Sequence, residues 1–176
     1  MAIYWRCYLP AERIKLYANE IKPRLQRLKR EALKIEPKLV VRINTIGATL
    51  SKFKDELLDK KQFLIEFINE FYYDIQTYLY DIKPRLNLSQ EEITKFLKEK
   101  NLSVTEWYWY SEILPMWFSL QDPKFSNWIE KLLLEQYTGN DQALISALTQ
   151  KINAKSDGSA SHRYILDLSM ATDLLG

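Results

Sequence analysis

AERIKLYANEIKPRLQRLKREALKIE, residues 11–36, carries Ile14, Ala18, Ile21, Leu25, Leu28, Ala32 and Ile35 in alternating steps of four and three. At 3.6 residues per turn these positions share one stripe, so the stretch predicts an amphipathic helix whose apolar edge seeks a core. Pro23 falls inside it. Proline lacks a backbone donor and crowds the carbonyl four residues back, which predicts a kink or break near Glu20 and Ile21.

The stepping resumes after Pro37 at Leu39, Ile43, Ile46, Leu50, Phe53 and Leu57. The β-branched run Val40, Val41, Ile43, Thr45 and Ile46 admits a short strand over 38–46, but the spacing favours helix. The stripe then changes phase to Leu64, Ile68, Phe71, Ile75, Tyr78 and Ile82, so residues 59–62 mark a turn, a kink or a stutter. Ser89 followed by Glu92 matches a capping box and predicts a helix from there to about Lys100, a pause at 101–103, and an aromatic-rich helix ending near Pro115. Two further helices are expected over 123–137 and 141–153, separated by Thr138-Gly139-Asn140.

With 47% hydrophobic residues, 13% aromatics and only 4 glycines in 176 residues, the composition is that of a helical globular chain rather than a disordered or sandwich-like one. The fold class expected is therefore an all-α, multi-helix bundle of six to eight helices with long N-terminal helices. Residues 1–154 form the bundle domain, the small polar residues of 155–163 a flexible linker, and 164–176 a C-terminal amphipathic helix. The longest apolar run, about six residues, falls far short of the roughly 20 that span a bilayer. The single cysteine, Cys7, cannot form an internal disulfide and the N-terminus has no apolar run like that of a signal peptide, so a cytoplasmic chain without a membrane role is expected.

Ile-Lys-Pro-Arg-Leu occurs at 21–25 and again at 82–86, with looser echoes at 35–39 and 113–117. Each places an isoleucine two residues before a proline and a large apolar residue two after, which reads as punctuation: a helix buries its last apolar residue, proline stops it, and the chain turns back onto the core.

Chemistry is sparse. One histidine and one cysteine exclude the usual zinc sites and most nucleophile–base pairs, and no phosphate loop or dinucleotide fingerprint is present. Ser159, Ser161 and His162 lie in the linker, where nothing holds a base against a nucleophile. Glu66, Glu70 and Asp74, spaced by four, read as a solvated acidic stripe rather than a metal site. No catalytic, metal or cofactor residue is expected, nor a small-molecule substrate.

The charge is divided by position: residues 1–61 hold 15 Lys/Arg against 7 Asp/Glu, net +8, while 62–176 come to −6. Eight cations, Lys22, Arg24, Arg27, Lys29, Arg30, Lys34, Lys38 and Arg42, fall within 21 residues against Glu31 and Glu36. They are the candidate contacts to nucleic-acid phosphates, RNA or DNA, without sequence selectivity. The competing reading pairs them with this chain's own acidic segment, 66–81. Trp107, Tyr108, Trp109, Tyr110, Trp117 and Trp128 are the candidate protein interface, because four consecutive aromatics cannot all face inward on a surface helix; the competing reading is a helix buried on most sides within the domain. Ile93, Leu97, Val104 and Trp107 have a spacing similar to a helix-turn-helix, but Glu106, Trp107 and Tyr108 stand where base-reading side chains belong. The expectation is a non-enzymatic helical subunit or adaptor of a larger assembly, with the general character of small ribonucleoprotein subunits; the alternative is a purely protein-binding scaffold.

Overall fold

The structure, a computed structural model, describes residues 20–58, 60–119, 124–136, 142–155, 160 and 163–165. Ile14, Ala18, Cys7, the 138–140 turn, Ser159, Ser161, His162 and the body of the last expected helix lie outside the described residues. Within them the chain is all-α.

α1 (Ile21–Ile35) buries Ile21, Leu25, Leu28 and Ala32, the later members of the opening stripe. Pro23 sits in its first turn, where the amide it lacks has no intrahelical acceptor in any case, so residues 21–35 run unbroken beyond it. A 3-10 turn, Pro37–Leu39, feeds directly into α2 (Val40–Ser51), which settles 38–46 as helical. The threonine hydroxyls of α2 are satisfied within the helix, Thr45 donating to the Val41 carbonyl at 3.0 Å and Thr49 to that of Thr45 at 2.9 Å. The change of phase at 59–62 is a break. The single turn α3 (Asp55–Leu58) ends before it, and α4 (Gln62–Thr77) starts after Lys61, whose backbone is non-helical at φ −101°, ψ 75°.

Past Thr77 the hydrogen-bond ladder widens into a π turn, Tyr78–Ile82, and tightens again into a 3-10 turn, Lys83–Arg85, around Pro84. α5 (Gln90–Lys100) begins on the expected box: the Ser89 amide donates to the Glu92 carboxylate at 2.8 Å and the Glu92 amide to the Ser89 hydroxyl at 3.4 Å. It ends on Asn101 in the left-handed region, at φ 52°. α6 (Val104–Tyr108) starts on a second box, Ser103 with Glu106, and passes through another π turn, Trp109–Ile113, into α7 (Leu114–Ser119). Pro115 was expected to end a helix; instead it lies in the first turn of α7, because the π turn before it carries the ladder past the missing amide. α8 (Phe125–Leu133) and α9 (Gln142–Asn153) complete the described order, each within its expected span.

The four Ile-x-Pro sites have three uses. The first opens α1, the second closes it, and the other two close the π turns. Two residues past the proline, Leu25, Leu39 and Trp117 are buried as the punctuation reading requires, whereas Leu86 is exposed.

α4 is central, packing on α1 at one side and on α8 at the other, and α8 also rests on α2. An aromatic chain runs through this core. Phe67 meets Trp128 edge-on at 5.1 Å, Trp128 meets Phe125 at 4.7 Å, Phe125 meets Trp117 at 5.4 Å and Trp117 meets Phe71 at 6.4 Å. Such edge-to-face pairs contribute about 0.5–1.5 kcal/mol each beyond their buried area.

The expected flexible linker, 155–163, is held at its described residues. Asn153 clasps Ala160 from both sides, accepting from the Ala160 amide at 2.7 Å and donating to its carbonyl at 3.1 Å. Ala160, Arg163, Tyr164 and Ile165 are all buried, so the chain at these residues lies against the bundle.

Gly47 stands inside α2 with nothing within 4 Å of the place a Cβ would take. Gly47→Ala should therefore raise the urea midpoint, by about 0.5–1 kcal/mol of added stability from helix propensity alone. A lowered midpoint would show that the backbone there needs glycine for another reason.

Candidate polyanion-binding surface

The eight candidate cations separate into three groups. Arg42 leaves the surface altogether. It is buried on the core side of α2, its guanidinium carbon 4.6 Å from the Trp117 ring centre and 4.8 Å from that of Phe125, with Nη2 donating to the Trp117 carbonyl at 3.3 Å. A side chain so enclosed cannot reach a phosphate, and its assignment as a nucleic-acid contact is corrected to a packing role.

Lys22, Arg24 and Lys29 are half-buried. The Lys22 ammonium donates to the Phe53 carbonyl at 2.8 Å. Arg24 pairs with Glu20 at 3.3 Å, reaches Asn69 of α4 at 3.4 Å and lies 5.5 Å from the centre of the Tyr72 ring. Lys29 borders a shallow groove of about 240 Å³ between α1 and α2, beside Gln26 and Asn44.

Arg27, Arg30, Lys34 and Lys38 are exposed, and none of them appears among the ion pairs of the described residues. Positions 27, 30 and 34 are three and four apart, so they line the side of α1 away from its buried stripe and extend over about 10 Å of helix axis. Lys38 continues the row on the 3-10 turn. Of the acids nearest in sequence, Glu36 pairs with Lys83, and Glu31 is half-buried near Tyr80, whose phenol is raised by burial and then by that carboxylate. The acidic segment 66–81 therefore does not neutralise this row. Its carboxylates Glu66, Glu70 and Asp74 face the C-terminal segment instead.

The aromatic candidates divide similarly. Trp109, Tyr110, Trp117 and Trp128 are interior, and their assignment to a protein interface is corrected to core packing. Trp107 is half-buried against Phe96, ring centres 6.1 Å apart. Only Tyr108, 48% exposed, faces outward among the six. The four successive aromatics do not all face inward: Tyr108 stays outside, while the change of helix pitch at Trp109 turns Trp109 and Tyr110 onto Asp74.

That junction was missed from the sequence. Asp74, fully buried, accepts from Trp109 Nε1 at 3.2 Å and from the Tyr110 hydroxyl at 2.9 Å, and its Oδ2 lies 3.6 Å from Arg163 Nε. Arg163 Nη2 adds a 3.4 Å bond to the Tyr110 oxygen. Burial opposes the charge on Arg163, but Asp74, then Tyr110, Glu70 and Glu106, outweigh it and hold the guanidinium firmly protonated. Burial and the Asp74 charge push the Tyr110 phenol well above its usual range, so it stays a neutral donor. The signal available was the four-residue spacing of Glu66, Glu70 and Asp74 together with a lone arginine followed by Tyr164 and Ile165.

Among the described residues no group of His, Cys, Asp and Glu is arranged to hold a metal ion, and no helix is long and apolar enough to cross a membrane. No family model, curated protein or solved structure matches the chain.

The division of the cations makes a direct contrast. Arg42→Ala leaves a cavity beside the Trp117 and Phe125 rings and should cost about 2–4 kcal/mol in denaturant unfolding, whereas Arg27→Ala, on the open face, should stay within about 0.5 kcal/mol of wild type. Equal effects would mean that the buried and exposed classes are misassigned.

Proposed function

We propose that the chain is a non-enzymatic helical subunit of a larger assembly whose α1 face contacts nucleic-acid phosphates without reading sequence. The observation that carries the reading is the row Arg27, Arg30, Lys34 and Lys38, exposed and absent from the ion pairs of the described residues, while Glu36 is paired with Lys83. Surface ion pairs contribute little, so a row of like charges gains most from a polyanion, whose bound counterions are released on contact. A line of cations along one side of a helix follows a phosphate backbone, and contacts to phosphates position a protein without carrying sequence information. The cytoplasm, where such assemblies work, is the compartment that goes with this reading.

A protein partner is the second reading. It is favoured by Val104, 72% exposed, and Tyr108, one turn apart on the same side of α6. Such a pair is small, and it serves as one anchor within an interface rather than as a whole one.

Anisotropy of a labelled random-sequence duplex, titrated over a series of salt concentrations, tests the phosphate reading. Wild type should give a log–log slope that the triple variant Arg27→Glu, Arg30→Glu, Lys34→Glu reduces by about 2.7, at about 0.9 for each phosphate that is no longer neutralised. Its thermal unfolding should stay close to wild type because the row faces solvent. Binding retained by this variant, or absent from wild type at moderate salt, would overturn the reading.

A further inference from the structure

Three aromatic side chains are exposed among the described residues, Tyr73, Tyr80 and Tyr108, and the first two stand on α4 and the π turn that extends it. Tyr73 is 40% exposed and Tyr80 49%, and neither ring takes part in the ring contacts of the described residues. Two helical turns separate them, about 10 Å along the axis.

This ledge borders the basic row. Arg24 of α1 reaches Asn69 of α4 at 3.4 Å and lies 5.5 Å from the centre of the Tyr72 ring. Further along both helices Glu31 lies near Tyr80, whose phenol is raised by burial and then by that carboxylate. α1 and α4 therefore advance side by side in the same direction, with 24 level with 69 and 72, and 31 level with 80. On the surface of α1 residues three and four apart are neighbours, so Arg27 adjoins both Arg24 and Glu31, and Lys34 adjoins Glu31. On α4 Tyr73 follows Tyr72 and stands one turn after Asn69. The acids at this border are Glu20, paired with Arg24, and Glu31, half-buried with its Oε2 enclosed, so the exposed charge beside the rings is positive.

We propose that the ledge of Tyr73 and Tyr80 stacks the unpaired bases of a single-stranded nucleic acid whose phosphates lie along Arg27, Arg30 and Lys34. The proposal rests on the phosphate reading and narrows it. Cations alone attract any polyanion, whereas open aromatic faces beside them add affinity for a ligand that has flat faces of its own. In a duplex the bases are stacked on one another and paired inside, closed to a side chain on the outer surface. A single strand offers each base, and stacking on an aromatic ring tolerates any sequence because every base has a π face. A stacked strand covers about 10 Å in about three phosphate spacings, so the two rings hold bases a few nucleotides apart while the row follows the backbone beside them. An acidic peptide, the other ligand that suits the row, has no such faces to place on the rings.

The test is fluorescence anisotropy with labelled probes of equal length at one moderate salt concentration: oligothymidine, an abasic strand that keeps the phosphates and lacks the bases, and a duplex. Wild type should bind oligothymidine about tenfold or more tighter than the abasic strand, the order expected when one or two bases stack on aromatic rings. Tyr73→Ala combined with Tyr80→Ala should erase that difference and leave the abasic strand and the duplex bound as before, whereas Tyr73→Phe with Tyr80→Phe keeps the faces and should keep the preference. Equal binding of oligothymidine and the abasic strand by wild type would overturn the ledge and leave the phosphate reading standing, and failure to bind any probe would remove both. A preference that survives the double alanine variant also overturns it. Polyglutamate that displaces oligothymidine as well as unlabelled oligothymidine does would assign the surface to an acidic protein instead. Should the alanine variant fold poorly, the wild-type contrast between the thymidine and abasic strands still decides.

Discussion

A carboxylate with no exposure to water holds three distant parts of this chain together. Asp74 belongs to α4, its two hydrogen-bond donors to the π turn at 109–113, and its counterion to the C-terminal segment at 163. Removing a carboxylate from water is costly, and the cost is offset only when every lone pair finds a donor and the charge finds a partner. That requirement fixes the pitch of the helix at Trp109: a regular ladder turns successive side chains by about 100°, and the wider turn brings both Trp109 and Tyr110 to one carboxylate. The two π turns, Tyr78–Ile82 and Trp109–Ile113, pack against each other directly beyond this junction. Each stands just ahead of a proline, so the Ile-x-Pro repeats and the buried acid belong to one arrangement.

The same logic sorts the positive charge. Among the described residues two arginines are used inside, Arg163 against Asp74 and Arg42 against the Trp117 and Phe125 rings, both places where a planar, weakly hydrated guanidinium packs better than an ammonium. What remains on α1 and the 3-10 turn after it is a narrower basic face than the residue count suggests, four exposed cations rather than eight. The narrowing sharpens the proposal, since a single row on one side of a helix meets a rod-like polyanion along a line.

Much of the fold was legible because it is local. Apolar spacing gave α1 and the helical state of 38–46, the phase shift at 59–62 gave the break between α3 and α4, and Ser89 with Glu92 gave the start of α5. Ser103-Val-Thr-Glu106 carries the same signature and opens α6, a signal present in the sequence and passed over. The misjudged residues are those whose partners are distant. Arg42 was counted with the surface cations although it sits three residues after Leu39 and four before Ile46, on the buried side of its helix. Glu66, Glu70 and Asp74 looked like a solvated stripe because nothing in their own helix reveals the C-terminal segment that lies on them. The small polar residues after 154 suggested a free tether, but composition is blind to the Asn153 clasp and to a buried arginine three residues past Ala160.

The account stands on Asp74 and Arg163 acting as a coupled pair, and a double-mutant cycle in denaturant unfolding measures that coupling directly. With Asp74→Asn, Arg163→Met and the two combined, the expected interaction energy is about 2–3 kcal/mol, the double variant being less damaged than the sum of the singles because neither charge is left buried alone. Effects that add to within about 0.5 kcal/mol would contradict it, and the junction would then be a neighbourhood of side chains rather than the interaction that holds the bundle together.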